Sequence, residues 1–295
     1  MMAAIEERWT VLADVVGCLI CPVCGGDLDL GGATLRCASG HAFDVARQGY
    51  VNLLPGGSHT GTADSRPMAE ARDAFLGAGH YEAIVDAVAD AAARALAEGP
   101  PGCVADVGAG TGHYLARVLE RIPARAGLAL DLSKHALQRA ARAHPQIGAA
   151  VCDTWRPLPV RTGAAALVLD IFAPRNPAEF ARVLHPGGAL LVVVPTADHL
   201  RELVEVLGLV TVDERKDERL AGALGEGFVL TESSVVRHSM ALTRADVAAV
   251  VAMGPSARHD SAEEMGARIA RLPGTVAVEA AVVVSVYRVS PQVGT

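Results

Sequence analysis

The sequence predicts an α/β protein: a doubly wound, Rossmann-like, mostly parallel sheet with a small N-terminal zinc-ribbon domain ahead of it. Three observations lead there. From about Cys103 onward, apolar runs alternate with amphipathic segments, the pattern of parallel strands joined by crossover helices. The stretch Asp106-Val107-Gly108-Ala109-Gly110-Thr111-Gly112 separates the first run from the first amphipathic segment. Upstream, Cys21-x2-Cys24 and Cys37-x3-His41 form two ligand pairs with the spacing of a tetrahedral zinc site.

The 295 residues have room for one large α/β domain and a small appendage. Hydrophobic residues make up 51% and charged ones 20%, which places the chain among globular proteins. Aromatics are only 4%, so Ala, Val and Leu must build the core. The net charge is −7, and residues 1–80 hold five Lys/Arg against nine Asp/Glu. That balance argues against a large nucleic-acid footprint and leaves room for a local one. Glu6 and Glu7 stand where a signal peptide needs basic residues, and no run approaches the ~20 apolar residues of a membrane span. Four of the six cysteines crowd between 18 and 37, which suits a metal in a reducing compartment. The expectation is a cytoplasmic protein with no membrane contact.

In chain order, residues 18–46 are expected to form the zinc module, 47–80 a connecting segment and 81–295 the sheet domain. Pro22 and Gly25 supply the turn of the first knuckle, so Cys21, Cys24, Cys37 and His41 are the expected ligands. Cys18-x2-Cys21 is also a legal knuckle, but that pair lacks the Pro/Gly punctuation. Asp27–Leu30 and Thr34–Arg36 read as short strands around the Gly31-Gly32 turn. Four protein ligands leave no open position on a metal, so this zinc is expected to be structural.

In the larger domain, Cys103–Val107 is the first strand and Gly112–Ile122 the first helix. Leu128–Asp131 is a strand, and Ser133 caps a helix that runs to Ala143. A strand ends at Val151–Asp153. The runs Ala166–Phe172 and Ala189–Val194 flank a helix over Pro177–Leu184. Ligands of such sheets bind at the carboxyl ends of the strands. The glycines read G-x-G-x-G, not the G-x-G-x-x-G of a dinucleotide site. Asp106 would repel a pyrophosphate, whereas S-adenosylmethionine (SAM) has a sulfonium and an ammonium and no phosphate. Asp131 is placed for the ribose hydroxyls, and Asp153-Thr154 for the adenine. Gly108, Gly110, Thr111 and Gly112 form the floor of the expected pocket, with Phe172 at its side. His80 and Tyr81 are candidates to cover the methionine end, with a helix-entry role as the alternative.

With these residues in view, the chain resembles the 23S rRNA (guanine-N1)-methyltransferases, and is especially similar to the branch conferring tylosin resistance. The likeness rests on the zinc knuckles, Phe43–Leu54, Ala71–Tyr81, Phe172-Ala173-Pro174-Arg175-Asn176-Pro177 and Met253-Gly254-Pro255. It implies a SAM-dependent enzyme that methylates N1 of a guanine in a 23S rRNA hairpin loop. It also implies a homodimer whose paired zinc domains line an RNA cleft. Three positions after Pro255, where that family usually has tryptophan, this chain has Arg258. Arg36, Arg47, Arg66 and Arg72 are the cations expected around the cleft. Guanine N1 keeps its proton at neutral pH, so a base is needed. Asp170, at the end of the fourth strand, is the best placed carboxylate, and an ordinary strand-end acid is the alternative. A second functional reading is a small-molecule amine N-methyltransferase built on the same scaffold.

Overall fold

Whether these local patterns meet in one sheet depends on contacts distant in sequence, and the computed structural model supplies them. It describes residues 11–58, 61–209, 224–225, 227–254 and 261–290. The ribbon is a three-stranded antiparallel sheet of β1 (Leu28–Gly31), β2 (Thr34–Cys37) and β3 (Ala42–Asp44). Gly31 ends β1 and pairs with Thr34, so the two-residue turn is Gly32-Ala33, one residue later than the expected Gly31-Gly32 turn.

The main sheet has eight strands. It begins with β4 (Tyr50–Asn52), which follows the ribbon directly and pairs with a strand a hundred residues later. Helices α1 (Arg66–Gly77) and α2 (Glu82–Ala95) come next, then β5 (Cys103–Val107), α3 (His113–Arg121), β6 (Gly127–Asp131), α4 (Lys134–Ala143) and β7 (Ile147–Val151). The second half holds β8 (Ala165–Ile171), α5 (Pro177–Val183), β9 (Leu184–Pro195), α6 (Arg201–Leu207), β10 (Phe228–Thr243), α7 (Arg244–Ala252), α8 (Ala262–Ala270) and β11 (Thr275–Val289).

The spatial order is β10-β11-β9-β8-β5-β6-β7-β4. Strands β4 to β9 are parallel. The chain winds outward in one direction from β5 and in the other from β8, so the switch point lies between their carboxyl ends. Local signals account for the element ends: the Ser133 hydroxyl accepts from the Ala136 amide at 3.2 Å, capping α4 as expected. The long antiparallel pair at the C-terminal end of the chain was not expected. β11 runs antiparallel to both β9 and β10, reached from β10 through α7 and α8, and inserts between the two.

Strands buried on both faces carry two cores, and their side chains alternate between them. Val104 and Ala129 belong to the face covered by α1–α4, α7 and α8, whereas Ala105, Val107, Leu128 and Leu130 face the other way. On that second face the cover is α5, the helical turn at 11–16 and the zinc ribbon itself. Leu28, Leu35 and Val45 of the ribbon share one apolar cluster with Leu128, Leu130 and Phe180. Each such buried side chain contributes roughly 1.5–3 kcal/mol, so the ribbon is welded to the sheet. Asp27 adds an ion pair to Arg161 at 2.9 Å, and Leu19 bridges Val160. No helix among the described residues is long and apolar enough to cross a membrane.

Candidate cofactor and metal sites

The ribbon brings together the four residues expected to ligate. One donor atom from each of Cys21, Cys24, Cys37 and His41 lies within 4.8 Å of the others. A tetrahedral zinc with bonds of about 2.3 Å to sulfur and 2.0 Å to nitrogen separates two sulfurs by about 3.8 Å and sulfur from nitrogen by about 3.5 Å. The Sγ atoms of Cys24 and Cys37 are 3.7 Å apart, and His41 Nδ1 lies 3.5 Å from Cys21 Sγ and 3.3 Å from Cys37 Sγ. The donor set therefore fits zinc in both chemistry and spacing, with Nδ1 as the histidine donor. Cys18 lies elsewhere, its thiol directed at the Ala164 carbonyl beside Cys103.

At the carboxyl ends of β5 and β8 a cavity opens, lined among others by Tyr81, Asp106, Gly108, Gly110, Thr111 and Phe172. These six are residues the sequence singled out. Gly108 and Gly112 have φ of +82° and +78°, a region that disfavours every residue with a Cβ. A Cβ on Gly108 would lie 2.5 Å from that of Ala173, and one on Gly112 2.9 Å from that of Ala140. The turn thus runs close under the loop after β8 and against α4. Asp131 adjoins it: its carboxylate accepts from the Gly110 amide at 2.9 Å and from the Ser133 amide at 2.7 Å. Those bonds hold the carboxylate against Gly110, which lines the cavity.

Three acids converge here. Asp106 is buried, and burial together with Asp131 and Asp170 pushes its carboxyl up to about 8. Burial also raises Asp131, opposed by its two amide donors. A pocket holding excess buried acid favours a cationic guest. Among the polar atoms, Thr111 Oγ1, the Tyr114 hydroxyl and Arg72 Nε are buried with no partner among the described residues, and such atoms need one from a ligand. The glycine approach, the acids and these orphaned donors together fit SAM.

The remaining expected residues are placed as follows. Asp153 and Thr154 lie in the turn after β7, outside the residues that line the cavity. Asp153 accepts from the Trp155 amide at 3.0 Å and lies 3.4 Å from Arg156 Nε. His80 turns toward α7, its Nε2 3.0 Å from Asp246. Asp170 is fully buried and ion-paired with Arg175 at 3.1 Å. Phe172 holds a φ of +54° at the cavity mouth, an arrangement that costs about 1–2 kcal/mol. Arg258 lies outside the described residues, as does Pro255.

Three residues were not foreseen as part of this site. Arg72, expected among the RNA-facing cations, instead lines the cavity, its Nη2 donating to Asp64 at 2.8 Å and to the Met253 carbonyl at 2.9 Å. Tyr114 follows the glycine turn at the start of α3, and its place there was a usable signal. His199 contacts Tyr81 at 3.1 Å, and nothing in its neighbourhood in sequence announces that.

Comparison with known proteins agrees with the geometry. Residues 19–59 match the family described as RlmA, N-terminal, and residues 104–188 match the methyltransferase domain. The chain is 49% identical over 278 residues to a 23S rRNA (guanine(748)-N(1))-methyltransferase of Streptomyces fradiae, covering 94% of this chain and 99% of the relative. It is 50% identical over 292 residues to a Micromonospora griseorubida protein provisionally named 23S rRNA (guanine-N(1)-)-methyltransferase, covering 93% of this chain and 98% of that one. The chain is a methyltransferase with SAM as methyl donor and zinc as structural metal. It belongs to the 23S rRNA (guanine-N1)-methyltransferase family.

Proposed function

We propose that this chain methylates N1 of a guanine in 23S rRNA. The observation that carries the reading is likeness over almost the whole length, 49% identity across 94% of the chain, to a relative named for that reaction. SAM supplies an electrophilic methyl group, transferred in line to the acceptor nitrogen. The chain's own contribution is placement, because collinear, close reactants account for much of such a rate.

In this reading Asp106, the Gly108–Gly112 turn and Asp131 hold the amino-acid and ribose parts of the donor, with Asp153 and Thr154 at the adenine. Phe172 stands at the mouth where the acceptor base would enter, 37% exposed, and offers an aromatic face. Asp170, at the carboxyl end of β8 and sealed by Arg175, would receive the N1 proton, and Arg175 would have to move to release it. The four ribbon residues hold zinc. Arg36, Arg47 and Arg66 are exposed and available to phosphates. We further propose the division into 18–46, 47–80 and 81–295, a homodimer, a cytoplasmic location and a role in macrolide resistance.

The test offers labelled SAM and the purified chain to 23S rRNA and, in parallel, to a panel of small amines. A methyl on N1 blocks the Watson–Crick edge, so reverse transcription stops one nucleotide before the modified guanine. Transfer to free amines with no stop on incubated rRNA would refute the reading.

A further inference from the structure

Of the six cysteines, Cys21, Cys24 and Cys37 belong to the zinc set. Cys152 is buried just beyond β7, and burial raises its thiol well above the ordinary value. The other two are distant in sequence and meet at one carbonyl. The Sγ of Cys18 lies 3.9 Å from the Ala164 oxygen, and the Sγ of Cys103 lies 3.8 Å from it. The same oxygen accepts the Cys103 amide at 3.2 Å. Three donors thus face one oxygen with two lone pairs. One thiol is left over for its neighbour's sulfur, and the two thiols do hydrogen-bond to each other.

The pair is asymmetric. Cys103 is buried at the start of β5. Cys18 is half-buried, in the turn between the helical segment at 11–16 and the first zinc ligand, so a small oxidant reaches it first. The hydrogen bond from Cys103 draws the Cys18 thiol down to about 7, and the charge of Arg161, itself held by Asp27 at 2.9 Å, adds to that. The same hydrogen bond, together with burial, holds Cys103 well above the ordinary value. Cys18 is therefore rich in thiolate near neutral pH, the form that reacts, while Cys103 keeps its proton. Gly17 precedes Cys18 with open space around it. The turn thus has room to bring the sulfurs from hydrogen-bond contact to the roughly 2.05 Å of a disulfide.

We propose that Cys18 and Cys103 form a redox-modification site, in which a hydroperoxide oxidises Cys18 and Cys103 resolves the product to a disulfide. The Cys18 thiolate attacks one oxygen of hydrogen peroxide, the O–O bond breaks, and a sulfenic acid forms. The hydroxide released takes up the proton that Cys18 had shed. The Cys103 sulfur then attacks the sulfenic sulfur, and its proton leaves with the displaced hydroxyl as a second water. The two thiols together lose two electrons, and one peroxide gains them. The bond fastens the lead of the zinc ribbon to the amino end of β5, the strand that carries Asp106. That lead already runs beside residues 159–161, the Ile20 amide donating to the Pro159 carbonyl at 3.0 Å and the Arg161 amide to the Cys18 carbonyl at 2.8 Å. Disulfides of reducing compartments are usually transient and redox-sensing, and a half-exposed pair suits a bond that forms and is reduced again. The site is independent of which acceptor receives the methyl group.

The experiment treats the zinc-loaded full chain with a stoichiometric amount of hydrogen peroxide, blocks the remaining thiols with N-ethylmaleimide in denaturant, and maps the peptides by mass spectrometry. Wild type is expected to give a Cys18–Cys103 cross-linked peptide that dithiothreitol reverses, with its zinc retained. In Cys103→Ser, Cys18 is expected to stop at a sulfenic acid that dimedone traps. Cys103→Ala repeats that test without a hydroxyl in the buried strand, and melting of each variant reports folding separately. In Cys18→Ser, Cys103 is expected to stay reduced at the same amount of peroxide. A link between residues 18 and 103 restricts the unfolded chain, so oxidised wild type is expected to melt several degrees above the reduced form. A disulfide among the zinc ligands in place of this one, a wild-type Cys18 left reduced or as sulfenic acid, or oxidation of Cys103 in Cys18→Ser as fast as in wild type would overturn the pair. Equal melting of oxidised and reduced wild type would overturn the fastening.

Discussion

Replacing Asp106 with Asn should make the ligand-free protein more stable and a poorer binder of SAM. Asp106 is buried, and its carboxyl is pushed up from 3.8 to about 8 by burial, then by Asp131 and Asp170. Between those two values the unfolded chain is ionised while the folded one keeps its proton. Stability is therefore lost progressively as pH rises from about 4 to about 8, and the loss is complete above that. At pH 7, about three pH units past the ordinary value and at about 1.4 kcal/mol per unit, the ceiling is ~4 kcal/mol. Asparagine carries no such penalty, so the variant should melt several degrees higher at pH 7 to 8 and close to wild type at pH 4. A cationic guest favours the carboxylate, so SAM binding to wild type below pH 8 should release a proton. Calorimetry in two buffers of different ionisation enthalpy counts it: close to one at pH 7 for wild type and close to none for Asp106→Asn. Equal proton release in both proteins, or a variant that melts lower at pH 8, would refute the reasoning.

Other outcomes are expected from the same geometry. Gly108→Ala places a methyl 2.5 Å from Ala173 at a φ of +82°, which should cost about 2–4 kcal/mol of stability and abolish SAM binding, as read by melting and titration. Cys37→Ser should lose zinc by atomic absorption while Cys18→Ser retains it; equal metal content in the two would break the ligand assignment. Asp131→Ala frees the Gly110 and Ser133 amides and removes the proposed ribose acceptor, so SAM affinity should fall at least about tenfold. If phosphates are bound, rRNA affinity should drop steeply with salt, and a salt-independent binding curve would count against an RNA substrate.

What could be read in the chain was whatever nearest neighbours determine. Ser133 announces the start of α4 because a hydroxyl before an apolar period caps a helix whatever surrounds it. The Gly108–Gly112 turn and the Cys/His knuckles are legible because strained backbone and metal geometry demand those residue types at those spacings. Illegible features depend on distant segments. The reversal of β11 is decided by its pairing with β9 and β10, and Val-rich runs look alike in either direction. Arg72 resembles any surface helix cation until Asp64 and Met253 draw it inward. His199 acquires its tautomer from Ala281, 82 residues away. His80 looked like a companion of Tyr81, but consecutive residues at a helix entrance point apart, and Asp246 takes it.

The loop after β7 has two employers. Asp153 and Thr154 stand at its beginning, and Val160 and Arg161 at its end are bridged and ion-paired to Leu19 and Asp27 of the ribbon. The nine residues Asp153–Arg161 thus join the turn proposed for the adenine to the zinc ribbon. A preparation that has lost part of its zinc would present to the biochemist as an enzyme with weak cofactor affinity, and assays of SAM binding on this chain call for the metal content of the same sample beside them. An inhibitor that wedges this loop away from the ribbon would reach the methyl donor without competing for its pocket.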